Sequence, residues 1–225
     1  MNDYINITCE DNMKLMARYP DNHFDLAIVD PPYGLDKLLH RSSYGSLKNG
    51  ALAKYGKNRW DVEPPKEYWI ELKRVSKNQI IWGGNYFANN LKNSRCWVCW
   101  NKDNPAKNFS SLEFAYTSFD RLPAYFYYAW GGLSEGIKGR NKKEKSIHPT
   151  QKPIALYKWL LTNYAKPGDK ILDTHIGSGS IAIAVDSVNK IEKMNLTLTG
   201  CELDPEYYAK AMERIKEKTA WQCLF

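Results

Sequence analysis

The sequence lacks the features of exported, membrane-bound and disordered proteins. Its first residues, MNDYINITCEDN, have neither the basic nor the apolar region of a secretion signal. No apolar run reaches the length of a bilayer span, and repeats and low-complexity tracts are absent. The five cysteines are an odd number, which argues against a disulfide framework. We therefore expect a cytoplasmic protein in a reducing compartment, without membrane contact.

A metal site is also not indicated. Cys96 and Cys99 form a C-x-x-C pair within the strand-like segment RCWVCW, where residues three positions apart face opposite sides. A second ligand pair at zinc spacing is missing from the sequence. We therefore predict that the protein binds no metal.

The composition is that of a globular protein with a basic surface. The 225 residues are 43% hydrophobic and 25% charged, which suits a single domain over residues 1–225. A net charge of +7 favours a polyanionic partner, although charge alone is weak evidence. Eight Trp and fifteen Tyr suit either base stacking or an aromatic core.

Strand-like and helix-like segments alternate, which predicts an α/β fold with a mostly parallel, doubly wound sheet. The predicted strands are Tyr4–Cys9, Phe24–Val29, Gln79–Trp82, Cys96–Trp100, Glu113–Phe119, Lys170–Asp173 and Leu196–Cys201. The predicted helices are Asn12–Tyr19, Ile181–Val188 and three that begin at Pro64-Pro65, Pro153 and Asp204-Pro205. In the last helix, Tyr208, Met212 and Ile215 form the predicted apolar stripe. The predicted solvent face of that helix carries Lys210, Arg214, Lys216 and Lys218.

A glycine-containing motif follows the strand Lys170–Asp173. The segment ILDTHIGSGS, residues 171–180, places an acid and a Gly-x-Gly where a strand turns into a helix, and Glu202 ends the next strand. This spacing favours a nucleotide-type ligand, with Glu202 on ribose hydroxyls. The full G-x-G-x-x-G fingerprint is absent, so a nucleoside cofactor such as S-adenosylmethionine is favoured over a dinucleotide. A dinucleotide-dependent oxidoreductase remains the alternative on the same sheet.

The segment VDPPYG, residues 29–34, ends an apolar strand in an acid, two prolines and an aromatic residue. An exocyclic amino group of a base is a poor nucleophile, because its lone pair is delocalised into the ring. Asp30 and the carbonyl of Pro31 could accept its N–H groups, and Tyr33 could stack on the base. The alternative is an ordinary stiff turn.

Three motifs together resemble the β class of DNA amino-methyltransferases. DPPY at 30–33 matches the catalytic motif, DTHIGSGS at 173–180 resembles the cofactor loop, and HPTQKP at 148–153 matches the motif that precedes this loop. The order, with the catalytic motif first, is that of the β class. QIIWGGNYF and the short chain also resemble small site-specific adenine methyltransferases of phages and prophages. The resemblance implies a circularly permuted Rossmann-like fold with a seven-stranded, mostly parallel mixed sheet.

The resemblance also implies site residues and a cofactor, S-adenosylmethionine. The catalytic residues would be Asp30, Pro31, Pro32 and Tyr33. The cofactor-binding residues would be Asp11, Asp30, His148, Thr150, Lys152, Asp173, His175, Gly177, Ser178, Gly179, Ser180, Glu202 and Leu203. Asp11 would lie near the cofactor's adenine, and Asp173 near its cationic amino acid end. Thr174 and His175 replace the Pro-Phe common in relatives, and His175 is expected to replace the lost aromatic wall.

The resemblance implies transfer to adenine N6 in DNA after base flipping, since cytosine N4 enzymes more often carry Ser in place of Asp30. Cytosine N4 and a non-catalytic DNA-binding relative remain alternatives. Basic insertions at 34–65 and 120–147 would be DNA-recognition loops, and solvated surface loops are the alternative. Their DNA-binding candidates are Arg41, Lys48, Lys54, Lys57, Arg59, Lys138, Arg140, Lys142 and Lys143. Either the recognised site is short or a homodimer shares the recognition. The apolar end, residues 221–225, is expected to pack on the protein or on a partner subunit, and the alternative is a sliding-clamp contact through residues 222–225.

Overall fold

The computed structural model describes residues 2–34, 61–103, 110–131, 134–136, 141–142, 146–148 and 150–220. The first strands are β1 Ile5–Cys9, β2 Phe24–Val29, β3 Ser76–Trp82, β4 Trp97–Asn101, β5 Leu112–Thr117 and β6 Ala124–Tyr127. They are followed by β7 Ala129–Gly131, β8 Ser134–Gly136, β9 Asn141–Lys142, β10 Lys170–Asp173 and β11 Thr197–Glu202. The helices are α1 Asn12–Ala17, α2 Lys66–Val75, α3 Ile154–Tyr164, α4 Ser180–Glu192 and α5 Pro205–Ala220.

Eight strands form one mixed sheet in the order β1-β11-β10-β2-β3-β5-β4-β6. The neighbours from β1 to β3 are parallel, β5 runs antiparallel to both β3 and β4, and β6 is parallel to β4. The predicted α/β fold with a mostly parallel sheet is confirmed. The expected number of seven strands is wrong for the described residues, because β6 adds an edge strand beyond β4.

The sheet is buried on both faces because successive side chains of a strand point to opposite sides. In β2, Leu26 and Ile28 belong to a core shared with α3, α4 and α5, whereas Ala27 and Val29 belong to a core shared with α1 and α2. All four side chains are at most 1% exposed. This double burial explains why the segment reads as a continuous apolar run.

The connections that follow the neighbouring strands β10 and β2 lead to opposite faces of the sheet. The loop after β10 leads into α4, which packs on one face, while the next helix described after β2, α2, packs on the other. A crevice for ligands forms at such a switch point, outside the carboxyl ends of the strands. The two sequence motifs follow these two strands and therefore meet at this edge.

The insertion at 120–147 is not simply a loop. It contains β6 and a separate antiparallel sheet of β7, β8 and β9. These strands have only two to four residues, too few for an alternating pattern to show in the sequence.

Two expected absences can be examined over the described ranges only. No helix there has the length and apolarity of a bilayer crossing. The same residues contain no cluster of three or more His, Cys, Asp or Glu side chains arranged to hold a metal ion.

Candidate active site

Asp30 directly follows β2, and both of its carboxylate oxygens have partners. The Tyr33 hydroxyl donates to Oδ1 at 2.7 Å, and the Lys152 ammonium donates to Oδ2. The Asp30 side chain is 11% exposed and that of Lys152 is 4% exposed. Burial raises the pKa of Asp30, and the Lys152 charge offsets part of this effect. The predicted catalytic acid therefore lies in a buried ion pair.

Tyr33 is fixed by aromatic neighbours from the WGGNYF segment after β3. Its ring stacks on Tyr86 with centroids 5.0 Å apart and meets Phe87 edge to face at 5.9 Å. Gly83 has φ +69°, and a Cβ atom there would lie 2.3 Å from Tyr33 Cε1. Only glycine permits the backbone to approach the ring this closely.

A chain of four charges extends from Asp30 into the protein. Lys152 Nζ lies 3.4 Å from Glu113 Oε2, and Lys102 Nζ lies 2.7 Å from Glu113 Oε1. Burial lowers the pKa of Lys152, but the carboxylates of Asp30 and Glu113 outweigh it and raise the pKa above its ordinary value. Lys152 is therefore an ammonium group and does not act as a base.

The glycine loop after β10 is tied to the end of β11. Gly177 N–H donates to Glu202 Oε2 at 2.9 Å, and Asp204 N–H donates to Glu202 Oε1 at 3.0 Å. Gly179, at φ +74°, precedes α4, and a Cβ there would lie 2.7 Å from Ile215. The Gly-x-Gly therefore allows the loop to pack directly on α5, and it keeps Glu202 hydrogen-bonded to the loop at Gly177.

Asp173, the last residue of β10, is a buried carboxylate at the same edge. It is 2% exposed, and its Oδ1 accepts the His175 N–H at 2.9 Å. Burial, together with the nearby Asp30 and Glu202 carboxylates, raises the pKa of Asp173 to about 8. A cation bound beside Asp173 would stabilise its ionised form, which burial disfavours.

His175 belongs to a hydrogen-bonded chain beneath the loop. Its Nε2 lies 3.2 Å from Asn12 Nδ2 and its Nδ1 lies 2.9 Å from Thr174 Oγ1, which is 2.7 Å from the Tyr68 hydroxyl. Because an amide nitrogen can only donate, Nε2 accepts and Nδ1 carries the proton. Burial lowers the pKa of His175 to about 3, so the ring is neutral.

Comparisons with known proteins identify the family. The model of a DNA methylase family that acts on N6 or N4 amino groups matches residues 78–213, which is more than half of the chain. The chain belongs to this DNA methylase family. The Type II methyltransferase M2.MboI of Moraxella bovis is 29% identical over 209 residues, covering 75% of this chain and 74% of the relative. The chain is thus a DNA methyltransferase, and the oxidoreductase alternative is wrong.

Solved methyltransferase structures share the fold of this methylase. The complex of M1.HpyAVI with S-adenosylmethionine has a TM-score of 0.55 and 19% identity, covering 93% of this chain and 99% of the other. The PvuII DNA methyltransferase, described as cytosine-N4-specific, has a TM-score of 0.60 and 13% identity, covering 98% and 93%. The circular permutation and the roles of individual residues remain predictions.

The methylase has a donor set that fits S-adenosylmethionine. Asp173 has a buried carboxyl group that would hold the cationic methionine end, and Glu202, beside the Gly177 turn, has a carboxylate that would accept from ribose hydroxyls. Leu203 is 67% exposed next to Glu202 and would cover an apolar face of the adenine. Asp11 lies at the same edge, but its Oδ1 caps α1 by accepting from Met13 and Lys14 N–H. Asp11 thus has a structural role besides the one predicted.

Other predicted cofactor residues of the methylase also lie around the loop. His148 packs edge to face on Tyr207, with ring centroids 4.4 Å apart, and its Nδ1 lies 3.1 Å from Thr150 Oγ1. Burial lowers the pKa of His148 to about 4, so this ring is also neutral. Ser178 and Ser180 hydroxyls are 3.1 Å apart, and the latter donates to the Lys152 carbonyl at 2.8 Å. The HPTQKP segment thus packs directly on the glycine loop.

A further prediction, for the last helix of the methylase, is wrong, and one site residue was missed. Arg214 is 6% exposed rather than solvent-facing, because its guanidinium donates to the Ser178 carbonyl at 2.8 Å and the Ser180 hydroxyl at 3.2 Å. Glu113 was not predicted as a site residue. The sequence did hold a signal, because Glu113 lies on the same face of its strand as the buried Ala115 and Thr117.

The structure does not test the DNA-binding predictions for the methylase. Lys142 belongs to β9, but its side chain is outside the described part of the chain. The remaining candidates, Arg41, Lys48, Lys54, Lys57, Arg59, Lys138, Arg140 and Lys143, lie outside the described residues, as do 222–225.

Proposed function

We propose that the methylase transfers the methyl group of S-adenosylmethionine to N6 of adenine at a specific DNA sequence. The observation that carries this proposal is the position of Asp30, which follows the strand next to the one that ends in Asp173 and the glycine loop. An acceptor for an amino group and a binding loop for a nucleoside cofactor therefore open into one crevice. That arrangement supports the proposal, because a nucleophile and a methyl donor bound in one crevice would lie side by side, a major requirement of a transfer reaction.

In this proposal, the residues of the protein act on the amino group. The cofactor supplies a methyl group on a positively charged sulfur, which is a good leaving group. Asp30 accepts one N–H of adenine N6, and the Pro31 carbonyl accepts the other, which directs the nitrogen lone pair out of the ring plane. The nitrogen becomes positive as it takes the methyl group and the sulfur departs as a neutral thioether, and the Asp30 carboxylate stabilises that charge. The nitrogen then releases one N–H proton to water. Tyr33 holds the plane of the base.

The target base leaves the duplex to reach this crevice, because a stacked base is inaccessible to a pocket at a sheet edge. We propose that the basic insertions 34–65 and 120–147 hold the phosphates of the opened DNA. Methylation of DNA in the cell then takes place in the cytoplasm.

Cytosine N4 is the competing acceptor. The family model covers both N6 and N4 enzymes, and the fold is shared with a structure described as cytosine-N4-specific. Asp30 favours adenine because the N4 enzymes that the sequence resembles more often carry serine at this position.

Nucleoside mass spectrometry decides between the two acceptors. DNA incubated with the protein and cofactor is digested, and N6-methyladenine is expected without N4-methylcytosine. Asp30→Asn, which keeps the shape but not the charge, is expected to abolish transfer while cofactor binding persists in calorimetry. The formation of N4-methylcytosine alone would contradict the adenine assignment, and the absence of both products would support a non-catalytic DNA-binding protein.

Two proposals concern partners. A homodimer would share recognition of the DNA sequence between two chains, and light scattering after gel filtration would detect it. A sliding-clamp contact through residues 222–225 requires that their deletion abolish clamp binding while transfer to free DNA continues.

A further inference from the structure

The Lys152 ammonium is hydrogen-bonded to Asp30, the carboxylate that is proposed to accept the target amino group. Lys152 Nζ donates to Asp30 Oδ2 and lies 3.5 Å from the Tyr33 hydroxyl, which donates to Oδ1. An ammonium is a stronger donor to a carboxylate than a neutral aromatic amine. If the Lys152 ammonium stayed on Asp30, it would lie beside the amino nitrogen that becomes positive during transfer, and the two positive charges would repel each other.

Glu113 offers a second acceptor for Lys152. Its Oε2 is buried and accepts no hydrogen bond, although Lys152 Nζ is only 3.4 Å away. A buried carboxylate oxygen without a hydrogen bond is unfavourable, so a nearby donor is drawn toward it. A movement of Nζ by about 0.6 Å would bring this pair to ordinary hydrogen-bond length, and a further rotation of the Lys152 side chain about Oε2 would then separate Nζ from Asp30 Oδ2.

Lys102 anchors Glu113 for this purpose. Lys102 Nζ holds Oε1 at 2.7 Å, which leaves Oε2 directed toward Lys152. Burial raises the pKa of Glu113, but the two ammonium groups outweigh it and keep the pKa below its ordinary value. Glu113 therefore remains a carboxylate and can hold the Lys152 charge.

We propose that Glu113 is a positioning residue that receives the Lys152 ammonium when the target amino group enters, so that Asp30 becomes free to accept the amine. This inference rests on the proposed role of Asp30 as the acceptor of the amine. Lys152 stays protonated throughout and moves between two carboxylates. In the absence of DNA it shields the buried Asp30 charge, and during transfer it is held away from the reacting nitrogen.

Glu113→Gln tests the proposal because it keeps the shape of the side chain and removes its charge. The single-turnover rate of methyl transfer is expected to fall about 10- to 100-fold, while the KM for DNA changes by less than about threefold. The wild-type protein is assayed alongside it. If the wild type forms no methylated base, the proposed function fails; if the wild type is active and Glu113→Gln is equally active, only this inference fails.

Glu71→Gln is a matched control. Glu71 is 25% exposed against 26% for Glu113, and it also pairs with a cation, Arg74, at 2.8 Å. Arg74 also bonds Tyr19 O and Asp21, which precede β2, so this pair lies at the opposite end of that strand from Asp30. Glu71→Gln is expected to lower thermal stability without changing the transfer rate.

A double-mutant cycle separates positioning from a structural role. In the Lys152→Met background no ammonium needs a second acceptor, so Glu113→Gln should reduce the rate by less than about threefold. An equal loss in both backgrounds overturns the proposal. Glu113→Asp, which retains the charge, should recover at least about one third of the rate that Glu113→Gln loses. An aspartate variant no better than the glutamine variant also overturns it.

Discussion

Gly83→Ala should inactivate the methylase through Tyr33. The added Cβ would lie 2.3 Å from Cε1 and 2.7 Å from Cδ1 and Cζ of the ring. An ordinary carbon contact is about 3.5 Å, so the ring must move by about 1 Å or more. Because Tyr33 donates to Asp30 and stacks on Tyr86, this movement disturbs both the acceptor carboxylate and the surface for the base.

The magnitude follows from two separate costs. A non-glycine residue at φ +69° costs about 1 kcal/mol. Overpacking against Tyr33 adds about 1–3 kcal/mol, for a total of about 2–4 kcal/mol in the free energy of unfolding. A misplacement of about 1 Å in a reactive group can reduce the transfer rate about 100-fold.

Gly168→Ala is the matched control. Gly168 has φ +88°, and a Cβ there would have no atom within 4 Å. It therefore incurs the backbone cost of about 1 kcal/mol without the clash. Urea unfolding measures stability, single-turnover transfer measures activity, and calorimetry verifies that both variants bind the cofactor. The reasoning is refuted if Gly83→Ala transfers methyl groups within about threefold of the Gly168→Ala rate.

Three further predictions concern the cofactor loop. Because the pKa of Asp173 is raised to about 8, binding of a cationic cofactor must displace a proton below that pH. Calorimetry should show affinity rising up to about tenfold per pH unit and levelling above about pH 8, and Asp173→Asn should abolish this rise. Arg214→Met removes the donor to the Ser178 carbonyl. It should lower the free energy of unfolding, measured by urea titration, by about 2 kcal/mol and weaken cofactor binding. An unchanged urea midpoint would contradict the structural role of Arg214. His175→Phe removes the hydrogen bond to Thr174 but keeps an aromatic ring. The cofactor affinity should therefore stay within about threefold of the wild-type value, and a larger loss would mean that the polar imidazole is needed.

The sequence was sufficient to predict the parts that depend on local pattern. A strand such as β2 that is buried on both faces must be apolar throughout, so its sequence shows it directly. Likewise, the positive φ angles at 177 and 179 require glycine, which is visible in the sequence. The two motifs could thus be assigned to strand ends, whereas the adjacency of β2 and β10, which brings Asp30 and Asp173 to one edge, is seen only in the sheet.

The remainder depends on tertiary packing. Lys152 was expected among the cofactor-binding residues, but its ammonium also pairs with Asp30 across 122 residues. Glu113 enters the site only through the pairing of β5 with β3, which no local pattern specifies. Arg214 was assigned to the solvent face with the other charged residues of the helix, but it is buried beside Ala211 and Ile215, and its guanidinium donates to the Ser178 carbonyl.

The hydrogen bond from the Ser180 hydroxyl to the Lys152 carbonyl has a consequence for kinetics. It joins the first residue of the helix after the cofactor loop to the residue whose side chain holds Asp30. A change at Ser180, such as Ser180→Ala, is therefore expected to lower the transfer rate as well as the affinity for the methyl donor, although Ser180 does not touch Asp30.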